Sequence, residues 1–223
     1  MSKLKLANGA AAIIAAGLAL TACSSSDTPS TDSGSGSSAP APAPTSESST
    51  SAAASDGVTT AADVFGPACS QLPQGDAPGG LTSMGPEPVA TAASTNPLLT
   101  KLVAAIGAVD GLGDTLNTSP ALTVFAPADA AFDALGEAKF QELAAAPDQL
   151  QPILTYHVLG QRYDAEGLED AGTVQSLNTA GGDIKIEGSG ENMTVNGAKV
   201  LCGNIPTKNA TVFVIDTVLT PGA

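Results

Sequence analysis

The 223-residue sequence predicts an α+β fold, with helices packed on a β-sandwich or wedge of short strands. Three observations support that class. Apolar residues recur at helical spacing through most of residues 88–157. From Val158 onward the period shortens towards that of strands, with Gly-rich turns between the runs. One early strand, Leu122–Phe125, turns abruptly into a helix.

That corner is Leu122-Thr-Val-Phe-Ala-Pro-Ala-Asp-Ala-Ala-Phe132. The β-branched and aromatic run at its start reads as a buried strand. Pro127 ends strand pairing because it has no N–H to give to a ladder. Asp129 reads as a helix N-cap or first-turn carboxylate, with Phe132 and Leu135 on one helical face. An aromatic on each side of the bend marks a core-organising element, and nothing in it is set up for chemistry.

The remaining elements follow in order. Val64–Cys69 is an entry segment, and a Gly/Pro-rich loop runs to Glu87. Pro88–Ser94 suits a short helix with proline at its first position. Asn96-Pro97 reads as N-cap and first helical residue, followed by Leu99, Leu102, Val103 and Ile106 on one face. Val109 extends that face until Gly111 and Gly113 break it, leaving a single turn at Asp114–Leu116. After the corner, Glu137–Ala145 is a helix with Phe140 and Leu143 inward. Asp148 reads as the N-cap of the next helix, with Pro152 near its start and Leu150, Ile153, Leu154 and His157 along its face. Thr173–Leu177, Asp183–Glu187, Met193–Asn196 and Ala198–Leu201 are short strands, and Asn196-Gly197 signals a hairpin turn. Val212–Leu219 is apolar on both faces apart from Asp216 and Thr217, as a central strand would be.

Composition narrows the function. Hydrophobic residues make up 43% of the chain, but there is no Trp, so Leu, Val, Ile and five Phe must build the core. The formal net charge is −14. Without Lys3 and Lys5, which lie in the first few positions, 22 acids face 6 bases, a formal −16. So acidic a chain does not hold phosphate backbones by counterion release, which excludes nucleic acid as a partner class.

Met1–Leu20 carries a positive start and an Ala-rich apolar stretch too short for a bilayer span, as a signal peptide does. Leu20-Thr-Ala-Cys23 resembles a bacterial lipobox. The resemblance implies removal of residues 1–22 and diacylglycerol on Cys23, two acyl chains being enough for lasting anchorage. Residues 23–60 are rich in Ser, Thr, Ala and Pro with almost no large apolar side chain, the composition of a disordered linker. A flexible stretch of that length would span ~30–35 Å. Its Ser/Thr/Pro content is compatible with an O-glycosylated stalk and equally with a bare spacer.

Three motifs in register carry a family resemblance. Thr123-Val-Phe-Ala-Pro-Ala-Asp-Ala-Ala-Phe132, Ile153-Leu-Thr-Tyr-His-Val158 and Asn209-Ala-Thr-Val-Phe-Val-Ile-Asp-Thr-Val-Leu-Thr-Pro221 resemble the signatures of the fasciclin (FAS1) domain. The likeness spans residues 64–221. Phe65–Cys69 and Asn204–Thr211 are similar to the secreted fasciclin-like antigens of mycobacteria. The resemblance implies the α+β architecture above, with Thr123, Phe125, Pro127, Asp129, Phe132, Tyr156, His157 and Asp216 as fold-signature residues. Ala128 departs from the Thr or Ser of most relatives, removing a capping hydroxyl.

With Cys23 lipidated, Cys69 and Cys202 remain, and two cysteines left over in an exported chain favour a disulfide. A reactive thiol or metal pair is the alternative, for which neither cysteine has a basic or His-rich neighbourhood. His157, the single histidine, is the obvious candidate for catalysis or metal binding. There is no Gly-x-Ser-x-Gly elbow, and His157 falls in the family's Tyr-His motif on an apolar helix face, which favours a buried core imidazole hydrogen-bonded to the 125–129 corner. Glu166, Glu169 and Asp170, and the Asp110–Asp114 loop, lack the ligand pattern of a calcium site. No metal, cofactor or catalytic residue is expected.

The expectation is therefore a non-enzymatic adhesion or recognition module, lipid-anchored at the cell surface of a bacterium. Its partner would be extracellular matrix, cell-wall polysaccharide or a surface receptor. A carrier holding an apolar small molecule or lipid in a cleft between helices and sheet is the alternative. Metabolic labelling with a fatty acid tests the anchor: the wild type should take up label and Cys23→Ser should not, whereas equal uptake would exclude lipidation at Cys23.

Overall fold

A computed structural model of the chain describes residues 56–73 and 75–222. The signal segment, Cys23 and the linker up to residue 55 lie outside the described residues. The helices are α1 (Leu81–Met84), α2 (Val89–Thr95), α3 (Thr100–Gly107), α4 (Leu112–Thr118), α5 (Asp129–Leu135), α6 (Glu137–Ala144), α7 (Pro147–Tyr156) and α8 (Ala165–Ala171). The strands are β1 (Leu122–Pro127), β2 (Val158–Leu159), β3 (Thr173–Gln175), β4 (Asp183–Glu187), β5 (Thr194–Val195), β6 (Ala198–Pro206) and β7 (Ala210–Ile215).

The strands form one seven-stranded sheet in the order β2-β1-β7-β6-β5-β4-β3. β7 pairs parallel with β1, from Leu122↔Ala210 to Pro127↔Ile215, and antiparallel with β6. Every residue of β1 and β7 is buried. Because side chains alternate along a strand, the pair serves two cores. Leu122, Val124, Ala126, Ala210, Val212 and Val214 join Leu102, Leu116, Phe132, Leu150 and Leu154 of the helical layer. Phe125, Phe213 and Ile215 face the other way and share a cluster with Val174, Ile184, Ile186 and Val195 of β3, β4 and β5. One sheet therefore folds back over its own face, giving a wedge. The fold-back coincides with β6, whose register against β7 shifts between Val200 and Cys202 and again between Cys202 and Ile205. The chain leaving β3 returns to β2, where the Leu177 N–H donates to the Val158 carbonyl at 2.7 Å and covers that edge.

Several expected boundaries move, each for a local reason. α3 begins at Thr100, not Pro97, because the buried Asn96 side chain accepts the Leu98 N–H at 3.0 Å and makes a turn instead of a cap. Pro88 precedes α2 as its N-cap. α4 runs through Gly113; the break lies at Gly111, whose φ of +75° is costly for other residues. α7 starts on Pro147, so Asp148 falls within its first turn, and Pro152 sits inside the helix. Leu135 is 37% exposed at the end of α5, so the buried face of that helix is Ala131 and Phe132. β3 and β5 are shorter than expected, β6 extends to Pro206, and β7 spans Ala210–Ile215. The Asn196-Gly197 hairpin forms as expected, with φ of +48° and +80° joining β5 to β6.

Cys69 and Cys202 are joined by a disulfide with Cα atoms 5.0 Å apart and a sequence separation of 133. It fastens the entry segment to β6. Beside it, Phe65 bridges to Gly203, where a Cβ would lie 2.4 Å from the Phe65 ring, so only glycine allows the approach. Closing so long a loop constrains the unfolded chain by up to ~5 kcal/mol. Cys69→Ala/Cys202→Ala should therefore lower stability by about 2–5 kcal/mol in urea unfolding. Free thiols on both residues under non-reducing mass spectrometry would refute the bridge.

Candidate functional site

α7 delivers Tyr156 and His157 to the seam between helices and sheet. His157 is 2% exposed. Its Nδ1 lies 2.8 Å from the Ile153 carbonyl one turn back, and its Nε2 accepts the Leu219 N–H at 2.9 Å. That arrangement requires the neutral ring with its proton on Nδ1. Burial pushes the pKa down to about 4 against the opposing hydrogen bond to Ile153. The ring does not bond to the 125–129 corner, as the sequence suggested. Instead the His157 backbone carbonyl accepts the Phe125 N–H at 2.8 Å, extending the β1–β2 ladder. The Tyr156 hydroxyl accepts the Asn196 amide at 3.0 Å and donates to the Asp183 carbonyl at 3.4 Å.

The other signature residues are also joints. Thr123 Oγ1 donates to the Gln161 carbonyl at 2.9 Å and accepts the Tyr163 N–H at 2.8 Å. Phe125 packs on Phe213 at 6.0 Å between centroids, and Phe132 meets Phe140 edge-on at 5.2 Å. Pro127 ends β1 opposite Ile215. Asp129 does not cap its own helix, where Ala128 is the N-cap without a side-chain bond. It reaches across to α3, accepting the Lys101 N–H at 2.8 Å and the Thr100 hydroxyl. Asp216 Oδ1 accepts the Lys199 N–H at 2.9 Å. No pair of these residues forms a nucleophile–base contact, and no cluster of three His, Cys, Asp or Glu suited to a metal occurs among the described residues.

Three polar residues that the sequence reading assigned no role complete the frame. Asn209 Oδ1 accepts the Val89 N–H at 3.0 Å, and its amide donates to the Leu116 and Ser119 carbonyls at 2.8 Å, tying α2 and α4 to β7. Arg162 donates to the carbonyls of Gly57, Thr207 and Ala210 and to Thr211 Oγ1, all within 3.0–3.1 Å. Burial lowers its pKa, and the Asp56 charge opposes that shift. Asn204, at φ +59°, accepts the Ala165 N–H at 2.8 Å and donates to the Asp63 carbonyl at 3.2 Å. A polar residue breaking an apolar strand run was the available signal for Asn204 and Asn209.

The hollows differ in chemistry. Between the helices and the sheet a cavity of about 20 Å³ is lined by apolar side chains including Met84, Ala92, Leu99, Leu102, Val124 and Ile205. That is room for about one water molecule and far below the few hundred Å³ of a small-molecule site. A hollow of about 310 Å³ opens at the corner, against Pro67, Pro97, Leu98, Ala128 and Leu201. The hollow of about 540 Å³ beside α8 is acidic, lined by Thr59, Asp63, Asp164, Glu166, Glu169 and Asn204. Its walls are pinned: Asp164 accepts the Gly167 N–H at 2.8 Å, Glu169 the Gly190 N–H at 3.0 Å, and Asp63 the Thr60 N–H at 2.8 Å.

Residues 97–221 match the Fasciclin domain family. The cell surface glycolipoproteins MPB83 of Mycobacterium bovis and MPT83 of Mycobacterium tuberculosis are 40% identical to this chain over 179 residues, 73% of this chain and 74% of theirs. The immunogenic protein MPB70 of Mycobacterium bovis is 41% identical over 179 residues, 77% of this chain and 90% of its own. Among solved structures, a FAS1 domain pair from the insect cell adhesion molecule fasciclin I aligns with a TM-score of 0.46 at 19% identity, over 56% of this chain and 46% of that one.

The buried imidazole sets an acid sensitivity. Its pKa is 6.5 unfolded and about 4 folded, so the unfolded state binds the extra proton as pH falls between these values. The stabilising contribution is complete above pH 6.5 and is lost progressively towards pH 4, on the order of 3 kcal/mol in all. Urea unfolding at pH 7 and pH 4.5 should show this loss, and His157→Ala should be less stable at pH 7 with a flatter profile through that window. An unchanged melt in the variant would refute the core role.

Proposed function

Because the chain belongs to the fasciclin domain family, we propose that it is a lipid-anchored, extracytoplasmic recognition or adhesion module of a bacterial cell surface. The observation that carries this reading is the placement of His157. The sole histidine is enclosed and bonded to two backbone groups, and the signature residues around it join elements to one another. That leaves the exterior of the domain, dominated by carboxylates, as the face available for function. The names of the mycobacterial relatives, a cell surface glycolipoprotein and an immunogenic protein, agree with a surface location. In this reading the chain divides into signal segment 1–22, acylated Cys23, linker 23–60 and fasciclin domain 64–221. Among the described residues no helix is long and apolar enough to cross a membrane. Under this reading the acyl chains hold the protein and the linker extends the domain outward towards matrix, wall polysaccharide or a receptor.

The carrier alternative needs a cleft between helices and sheet. The apolar cavity there is about 20 Å³, so helices would have to part before any lipid could enter. One experiment separates the two readings. Full-length protein carrying Cys23→Ser, incubated with cell-wall and matrix extracts, should retain a macromolecular partner through an exposed surface. Native mass spectrometry of protein from its own host should show no bound lipid other than the anchor. Retained apolar ligand without a macromolecular partner would replace the recognition reading with the carrier.

A further inference from the structure

We propose that residues 217–222 form an acid-released latch, which stays docked while the His157 ring accepts the Leu219 N–H and detaches when that ring gains a proton. The proposal goes beyond the recognition reading and holds whatever the domain binds.

The geometry makes the latch depend on one ring atom. β7 ends at Ile215, and Asp216 is fixed beside it. The Asp216 N–H donates to the Lys199 carbonyl at 3.1 Å, and its Oδ1 accepts the Lys199 N–H at 2.9 Å. Beyond that point, among the described residues, two hydrogen bonds tie the segment to the rest of the domain. The Leu219 N–H donates to His157 Nε2 at 2.9 Å, and the Gly222 N–H donates to the Gly181 carbonyl at 2.9 Å. Leu219 is buried in the cluster of Phe125, Tyr156, Phe213 and Ile215. Pro221 and the Tyr156 ring both pack on Gly181, where a Cβ would lie 3.0 Å from the one and 2.6 Å from the other.

Protonation inverts the first of these ties. In the neutral ring Nδ1 carries the proton and faces the Ile153 carbonyl at 2.8 Å, so an added proton goes to Nε2. Nε2–H then points at the Leu219 N–H, and two donors cannot share that line. The Ile153 bond survives, so α7 has no cause to move. The irregular segment beyond Asp216, held by few contacts, yields first.

No counter-charge relieves the ring instead. α7 packs against α6, β2 and the turn Thr179–Gly181. The ionisable groups on those elements are Glu137, Lys139 and Glu142 of α6, all exposed and in ion pairs. Asp129, after β1, is bonded to Thr100 and Lys101, and Asp216 to Lys199. The Tyr156 hydroxyl is engaged with Asn196 and the Asp183 carbonyl, and Asp183 itself lines a hollow with Lys185 and Glu187. Burial and the Ile153 carbonyl are the causes of the ring's shift, with no carboxylate among them. Docking is therefore complete above pH 6.5 and weakens as pH falls towards 4, by up to ~300-fold in the docking equilibrium.

Detachment uncovers Tyr156 and Gly181 and removes one wall, residues 217–220, of a hollow of about 380 Å³ beside the Asn196-Gly197 hairpin. This face thus presents an apolar slot in acid that is shut at neutral pH.

Recording ¹H–¹⁵N spectra of the full-length protein from pH 7 to pH 4 tests the latch. The amide signals of Val218, Leu219, Thr220 and Gly222 should move to sharp, unstructured positions, while those of Val124 and Val212 stay dispersed. In His157→Gln, whose side-chain oxygen can accept the Leu219 N–H and takes up no proton, the segment should stay docked over that range. Leu219→Ala, which weakens docking without touching the ring, should raise the midpoint of release by about one pH unit. The latch is overturned if segment and strand signals are lost in a single step, if the segment stays ordered at pH 4, or if His157→Gln releases it at the wild-type pH. Should His157→Gln fail to fold, an unchanged midpoint in Leu219→Ala overturns the latch as well.

Discussion

The parallel pairing of β1 with β7 is the constraint from which the rest of the structure follows. Both strands are buried along their whole length, so neither face can be left to water. Six consecutive Cα pairs fix their register, and the ladder is closed at its ends by Leu122 N–H to Asn209 carbonyl and Ala128 N–H to Ile215 carbonyl. With all backbone groups engaged, burial costs little, and side chains on both faces demand cover. Helices supply it on the Val124–Val212 side. On the Phe125–Phe213 side the sheet supplies it from its own distal strands, which is why β6 must bend.

A core of this kind puts unusual weight on polar side chains at its margins. Helix ends and strand ends carry backbone groups that must find partners once they are buried. Asn209 satisfies groups from α2 and α4, Asp129 caps α3 from a neighbouring helix, and Thr123 joins β1 to the chain after β2. His157 does the same for the C-terminal segment, accepting one N–H with a ring whose charge the interior disfavours. These residues carry hydrogen-bonding chemistry that could serve catalysis in an open site. Here their donors and acceptors are already committed to neighbouring groups, so the interior is occupied by its own construction. On the outer surface the α8 hollow is richer in carboxylates than the corner hollow.

How far the sequence could be read depended on whether a residue answers to its neighbours in the chain or to residues far along it. The α+β class, the central strand, the Asn196-Gly197 hairpin and the strand-to-helix corner were legible, because period and turn chemistry are local properties. The start of α3 was misplaced because Asn96-Pro97 has the local form of a cap, while the group that caps the helix, Asp129, lies 28 residues from Lys101. The His157 ring partner was misplaced for a similar reason. Its bond to Leu219 spans 62 residues and depends on where the chain returns after β7.

The sequence by itself determined the family, the apolar runs that bury both faces of β1 and β7, and the acidic balance of the chain. Each is encoded in residue type and spacing. Only the tertiary structure decided that Asn204, Asn209 and Arg162 are joints and that Thr59, Asp63, Glu166 and Glu169 share one hollow. Those groupings are made by the fold-back of the sheet and the docking of the entry segment, which bring together residues more than 100 positions apart. No periodicity along the chain records such an approach.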